Sequence, residues 1–278
     1  MSIISEKISP TAHITSHAWD YLEISNAKYF VSPQYKFFLN LLRTIGFPLF
    51  LNKKKDYIYF MLEPRHRAID YFIFSKFHYK QIVELACGLS PRGMTFAENP
   101  EFNYIEADLD KMLKTKKNLV EKIYSDKKIQ RKNHNFVSLD ILKDNIFEKV
   151  KKHVSKEKTV VITEGLTPYF DMENLKKIFL NISSFLRAND GGVYICDIYH
   201  NEDLKKNHAK LINLPINLMG IKFFADIDNS DEGQEFLKEC GFDFVETFNP
   251  LNFAKQLGLK HNIPPEYNVA TIYLAHVF

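Results

Sequence analysis

Cysteine is scarce: Cys87, Cys196 and Cys240 are the three in a chain of 278 residues, far apart and with no paired spacing. That spacing fits neither a disulfide scaffold nor a zinc site, and it predicts reduced thiols in a cytoplasmic setting. Long apolar runs are missing as well. The longest, Phe37 to Leu51, is interrupted by Asn40, Arg43 and Pro48, so it falls short of the roughly 18–20 apolar residues a membrane helix needs. The first twenty residues hold Glu6, Lys7 and Pro10 where a secretory leader would need an apolar stretch, and none is expected. Charge of one sign is also lacking: the net charge is +3, too small in a chain this long to call for a nucleic acid or an anionic membrane as partner. Glycine (10) and proline (11) are sparse, and no repeat or low-complexity tract occurs. What is present is ordinary for a folded chain: hydrophobic residues make up 45% and charged residues 26%, which excludes disorder. With 24 Phe and 14 Tyr against a single Trp, the core is expected to be rich in aromatic rings.

The first 80 residues read as helical, with a segment at Tyr21–Phe30, one from Pro33 to about Ile45, and one opened by Pro64 that runs to about Phe77. Proline suits a first helical turn because the N–H it lacks would be unpaired there. From residue 81 the pattern changes to short apolar runs alternating with helix-like segments. Strands are expected at Gln81–Ala86, Phe102–Ala107, Asn135–Leu139, Thr159–Thr163, Gly192–Asp197, Phe242–Phe248 and Val269–Phe278. Helices are expected near 91–98, 110–124, 141–153, 171–187 and 230–241. Near-continuous apolar runs such as Val160-Val161-Ile162 suit strands covered on both faces. Alternating units of this kind predict an α/β fold with a seven-stranded, mostly parallel sheet and right-handed crossovers. The final strand is expected to be reversed beside the sheet edge. A helical N-terminal cap over 1–80, a ligand-binding domain over 81–278 and an insertion at 199–226 complete the expected organisation. The insertion follows the fifth strand, on the side where ligands bind in such sheets.

The first strand runs into Ala86-Cys87-Gly88-Leu89-Ser90-Pro91-Arg92-Gly93. A dinucleotide turn needs G-x-G-x-x-G, and those positions here are Ala86, Gly88 and Pro91, so a nicotinamide cofactor is disfavoured. A nucleoside without phosphates needs only one glycine where backbone passes beneath it. Asp108 lies at the end of the second strand, 20 residues past Gly88, where an acid receives ribose hydroxyls. Glu106 is the alternative ribose acceptor, and the other reading of Asp108 is an acid that favours the helix N-terminus beside it. Asp140, followed by Ile141, ends the third strand and can accept from an adenine amino group; it would equally serve as a helix N-cap. Glu164 ends the fourth strand ahead of Gly165 and is expected over the site rather than in the core.

The segments Glu84–Gly93, Tyr104–Asp108, Thr163–Phe170 and Ile8–His13 together resemble the leucine carboxyl methyltransferase-like family of S-adenosylmethionine-dependent O-methyltransferases. The Ser-Pro-Thr-Ala-His opening and the Gly-Leu-Ser-Pro-Arg-Gly turn are most similar to its bacterial branch, grouped with polyketide-type O-methyltransferases. The resemblance runs in order from about residue 8 to 278. It implies a class I methyltransferase (Rossmann-like) fold and S-adenosyl-L-methionine lying across Gly88. It also implies an arginine on the helix before the first strand that holds the methionine carboxylate. Arg65 matches best and Arg67 second, and a guanidinium fork suits a carboxylate. Two positions depart from the family's Gly-x-Gly-x-Asp-Thr-Arg turn. Ala86 replaces the first glycine, which requires a negative φ there, and Ser90 replaces the aspartate, so no role is carried over to it.

Other features carry less. His13 and His17 have a helical i, i+4 spacing, but no third metal ligand accompanies them. The lysine-rich stretch Lys111–Lys132 has only Tyr124 as an interleaved aromatic and reads as a solvated face. Cys87 reads as an inert strand-end thiol. The expected activity is O-methylation of a small organic carboxylate or of a polyketide-like hydroxyl. A carboxylate is already nucleophilic, whereas a hydroxyl needs a base; Tyr169, Tyr199, His200 and His17 are the candidates for that role. A nucleoside-binding protein without turnover and a protein carboxyl methyltransferase are the alternatives.

Overall fold

The computed structural model describes residues 3–33, 57–206, 224–259, 263 and 270–278. The helix expected from Pro33 to Ile45 therefore lies outside the described residues beyond its first position. Helix α1 spans Ile3–Tyr21 and α2 spans Tyr57–Ser75. Then follow β1 (Gln81–Leu85), α3 (Arg92–Phe96), β2 (Asn103–Asp108), α4 (Asp110–Asp126), β3 (His134–Ser138), α5 (Ile146–Val150), β4 (Thr159–Thr163), α6 (Met172–Ala188), β5 (Gly192–Ile198), α7 (Asn201–Lys206), α8 (Ser230–Glu239), β6 (Phe244–Phe248) and β7 (Thr271–Val277).

The strands form one seven-stranded sheet in the order β3-β2-β1-β4-β5-β7-β6. Pairing is parallel from β3 through β5, and β7 runs antiparallel between β5 and β6. The expected architecture is therefore realised, including the reversed last strand. The order reverses between β1 and β4, and the crevice at the carboxyl ends beside such a reversal is where open α/β sheets bind ligands. Every residue of β1, β4 and β5 is buried, which accounts for their unbroken apolar runs.

The two sheet faces bury separate cores. Val83, Leu85, Ile105 and Val161 pack with α6 residues such as Ile178, Phe179 and Ile182. On the opposite face Ile82, Tyr104, Val160 and Ile162 pack against Ile69, Phe72 and Ile73 of α2. Helix α2 thus covers the sheet directly, and it also shares a small cluster (Ala18, Leu22, Leu62) with α1. Among the described residues no helix is long and apolar enough to cross a membrane.

Several helix boundaries differ from expectation. Helix α1 occupies Ile3–Tyr21, and the segment expected to be helical, Tyr21–Phe30, holds only a 3-10 turn at Ala27–Tyr29. Left-handed residues Glu23 (φ 54°) and Asn26 (φ 62°) break the helical path there. Helix α2 starts at Tyr57 with Pro64 in its interior. An internal proline costs about 3 kcal/mol, which the burial of the α2 face in the sheet core offsets. The helix expected at 141–153 is confined to Ile146–Val150, because Asn145 supplies the N-cap by accepting from the Glu148 N–H.

Candidate active site

After β1 the chain turns through two left-handed residues, Ala86 (φ 52°) and Gly88 (φ 48°). The alanine contradicts the negative φ expected there. A Cβ in this region costs roughly 1–2 kcal/mol, and surrounding hydrogen bonds hold it in place. The Cys87 N–H donates to the Ala107 carbonyl at 3.2 Å and the Ser90 N–H to the Cys87 carbonyl at 3.0 Å. The Gly88 N–H donates to Asp108 Oδ2 at 2.7 Å. Helix α1 passes over this turn, with Ala12 Cβ 3.6 Å from where a Cβ on Gly88 would stand.

Asp108 ends β2 as expected, and Oδ1 also accepts the Leu109 N–H at 2.7 Å. Burial raises its carboxyl, against the pull of the Gly88 and Leu109 amides. Each oxygen retains a lone pair for a ligand hydroxyl. Glu106 does not share this position. It is fully buried, 2.9 Å from Lys116 Nζ and 3.4 Å from His134 Nε2, on the side of the sheet that Gly93 covers. Successive strand residues at 106 and 108 point to one face, but the earlier one lies beneath α3 while the later one clears the strand end. Asp140 is partly exposed and anchors its own turn: Oδ1 accepts the Leu142 N–H at 3.2 Å and Oδ2 meets Lys143 Nζ at 2.8 Å. Ile141 packs half-buried against the neighbouring core.

Glu164 follows β4 and sits in a buried network of charges. Its Oε1 accepts from Arg65 Nε at 3.1 Å, and its Oε2 from Arg92 Nη2 at 2.7 Å and from His66 Nδ1 at 2.8 Å. Burial alone would raise this carboxyl, but His66, Arg92 and Arg65 overcome it and hold Glu164 well below the usual carboxylate range. Arg92 also reaches Glu84 at 2.7 Å and Asp70 at 2.5 Å. Arg65 Nη1 reaches Asp197 at 3.2 Å and donates to the Tyr199 hydroxyl. Burial opposes the charge on Arg65, yet Tyr199, Asp197 and Glu164 keep the guanidinium charged. The fork expected to grip a carboxylate with two parallel bonds is thus committed at Nε and Nη1 to protein groups. Nη2 remains, lying against Gly165 (φ 69°), where a Cβ would stand 2.9 Å from it. Four carboxylates (Glu84, Glu164, Asp70 and Asp197) surround two guanidinium groups and the His66 ring, so the acids outnumber the basic groups, an arrangement that suits a cationic ligand. Arg67 points elsewhere, to Glu63 at 2.8 Å.

The remaining candidates separate by environment. Tyr169 donates to Thr11 Oγ1 on α1 at 3.3 Å. Burial raises both the Tyr169 and Tyr199 phenols. His200 is turned toward β7, with Nε2 2.7 Å from the Tyr273 hydroxyl and Nδ1 3.2 Å from Asp203; burial lowers its imidazole. His17 is buried on α1, and burial lowers the imidazole of His13. The insertion begins and ends at the carboxyl side of the sheet: the Asn201 N–H donates to the Ile227 carbonyl and the Phe224 N–H to that of Pro168, each at 2.8 Å. Residues 207–223 within it lie outside the described residues.

Glu84, Arg92, Asp197, His66 and Asp70 were not singled out from the sequence. The signal was available for two of them: Glu84 and Asp197 are lone charges inside apolar strands, and a charge buried on both faces of a sheet has to find a partner.

The sequence profile of the leucine carboxyl methyltransferase family matches residues 26–183. No protein of curated function matches the chain by sequence. A methyltransferase provisionally identified in Thermobifida fusca superposes with a TM-score of 0.58 at 12% identity, covering 88% of each chain. A provisionally identified O-methyltransferase of Nostoc punctiforme gives 0.53 at 10% identity over 80% of this chain, which spans 60% of that protein's length. The magnesium protoporphyrin IX methyltransferase of Synechocystis, with bound S-adenosylhomocysteine, gives 0.50 at 10% identity, covering 86% of this chain and 97% of the other. At these identities the solved structures support the fold alone.

Proposed function

Because the chain belongs to the leucine carboxyl methyltransferase family of S-adenosylmethionine-dependent methyltransferases, we propose that it O-methylates a small organic carboxylate. The residues present fit the cofactor. Gly88 offers a turn free of a side chain, and Asp108 offers carboxylate oxygens for the ribose. Asp140, with Ile141 beside it, is the candidate for the adenine amino group. Glu164 and the excess of carboxylates around it suit the cationic methionine end, and Arg65 Nη2 remains for its carboxylate. S-adenosylmethionine supplies an electrophilic methyl group on a positively charged sulfur. On this reading residues 1–80 form a helical cap over a methyltransferase domain at 81–278, and the cap and the 199–226 insertion enclose the acceptor.

The observation that favours a carboxylate acceptor is the state of the two phenols. Burial raises the Tyr169 and Tyr199 phenols, and Tyr169 already donates to Thr11 while Tyr199 accepts from Arg65, so neither is suited to act as a base. A carboxylate needs alignment and exclusion of water, and no proton has to leave it. A hydroxyl acceptor, polyketide-like in the family's bacterial branch, is the second reading. It is favoured by His13, whose imidazole burial keeps neutral one residue from the Ala12 that covers Gly88. The test is a pH–rate profile of S-adenosylhomocysteine release with His13, His17 and His200 each changed to alanine. A carboxylate acceptor predicts that no single change abolishes turnover. Near-complete loss in one variant, with acceptor binding retained, would refute it and assign a histidine base to a hydroxyl substrate.

A further inference from the structure

Helix α4 buries one stripe, Leu113, Lys116, Val120 and Ile123, a spacing that ordinarily carries apolar side chains. Its other lysines lie in water: the side chains of Lys114 and Lys117 are 71% and 48% exposed. Lys116 is 0% exposed. Replacing a buried ion pair by apolar groups of similar volume is often neutral or stabilising for a fold, so packing alone gives no reason for an ammonium here.

The contacts of that ammonium point to the cofactor turn. Nζ lies 2.9 Å from Glu106 Oε2 on β2 and donates to the Cys87 carbonyl at 3.4 Å. Cys87 stands between the two left-handed residues Ala86 and Gly88. Two residues beyond Glu106, Asp108 accepts the Gly88 N–H at 2.7 Å. A closed circuit therefore runs from Lys116 through Cys87 and Gly88 to Asp108, and back along β2 through Glu106. Glu106 is also faced by His134 at 3.4 Å, whose Nδ1 meets the Tyr124 hydroxyl at 2.8 Å.

We propose that Lys116 is a positioning residue for the cofactor: by tying the Cys87 carbonyl to the Glu106 carboxylate, it sets the Gly88 peptide at the separation from Asp108 that the nucleoside requires. This rests on the reading of the turn as the S-adenosylmethionine site. Lys116 does not touch the ligand and acts through the backbone of the turn.

The test compares Lys116→Met/Glu106→Gln with Glu106→Gln alone. The double change removes both charges, so that no buried carboxylate is stripped of its cation. The single change keeps the lysine on the Cys87 carbonyl. Calorimetric binding of S-adenosylhomocysteine and thermal unfolding are read on each, with Lys114→Met as the exposed control. The double variant is expected to unfold within a few degrees of the unaltered protein yet to bind at least tenfold more weakly. Glu106→Gln is expected to lose clearly less affinity than the double variant, because the retained lysine still holds the Cys87 carbonyl, and Lys114→Met is expected to bind within about threefold of the unaltered protein. Unchanged affinity in the folded double variant overturns the proposal. So does an equal loss in Glu106→Gln, which moves the role to the carboxylate, and so does a double variant that does not fold, which makes Lys116 a residue of the fold. Failure of the unaltered protein to bind the nucleoside is a separate result and overturns the cofactor reading instead.

Discussion

Changing Glu164 to glutamine tests the central charge network at one atom. The carboxylate holds Arg65 Nε at 3.1 Å, Arg92 Nη2 at 2.7 Å and His66 Nδ1 at 2.8 Å, and its side chain is 4% exposed. Glutamine keeps the shape and one acceptor oxygen but sets an N–H against a donor on the other side. Removing one partner of a buried ion pair costs about 3–5 kcal/mol. Here the lower end applies, because Arg92 keeps Glu84 and Asp70, and Arg65 keeps Asp197 and Tyr199. A loss of about 3 kcal/mol, with a urea slope of roughly 3 kcal/mol/M, moves the unfolding midpoint down by about 1 M. The effect depends on pH with a definite sign. A carboxyl held below its ordinary value contributes stability above the unfolded pKa, about 4.3 for glutamate, and loses it as pH falls toward the folded value. The gap between the two proteins should therefore be full at pH 7 and shrink below about pH 4. Affinity for S-adenosylhomocysteine should fall at the same time. Neutralising one partner of a buried charged contact costs about 2–5 kcal/mol, or about 30-fold or more at 1.4 kcal/mol per tenfold. Urea unfolding at pH 7 and calorimetric titration read the two effects. An unchanged midpoint together with an unchanged affinity would refute both the electrostatic account and the place of Glu164 in the site.

Arg65→Ala and Asp108→Ala should each weaken S-adenosylhomocysteine binding by roughly 30-fold or more, and calorimetry showing wild-type affinity in both would remove the assignment. At Ala86, φ 52° penalises a branched side chain, so Ala86→Val should destabilise by about 1–3 kcal/mol while Ala86→Gly stays within about 1 kcal/mol of the unaltered protein; thermal unfolding of the pair should show that order. Burial pushes the Cys87 and Cys196 thiols well up and Cys240 up to about 11, so iodoacetamide at pH 7 should label none of the three in the folded protein, and rapid labelling of any one would contradict the packing.

The sheet was legible because its signal is local. Strands such as Val160–Ile162 are buried on both faces, so their apolar character is continuous and leaves little room for another assignment. The ends of helices were less so. Pro64 reads as a helix start, but the helix begins at Tyr57, and ahead of the proline Leu62 packs against Ala18 and Leu22 beside α1, a contact the sequence does not announce. Asn145 cuts short a helix that composition alone would extend from residue 141.

For the site, the residue types and their spacing at strand ends suggested Gly88, Asp108, Asp140 and Glu164, since parallel strands bring their carboxyl ends to one crevice, whereas Arg65, on helix α2, followed only from the family resemblance. What distinguishes neighbours of the same type is not in the spacing. Glu106 and Asp108 point to one face of β2, yet one lies under α3 beside Lys116 and the other clears the strand end, because burial depends on what α3 and α4 cover. Ala86 takes a positive φ that its side chain disfavours, since the hydrogen bonds that Cys87 and Gly88 donate to Ala107 and Asp108 fix the turn around it. Arg92, Glu84 and Asp197 join Arg65 and Glu164 only in three dimensions. A charge in an apolar strand announces that it has a partner, but the partner comes from a segment as much as 132 residues away, and only the tertiary fold chooses it.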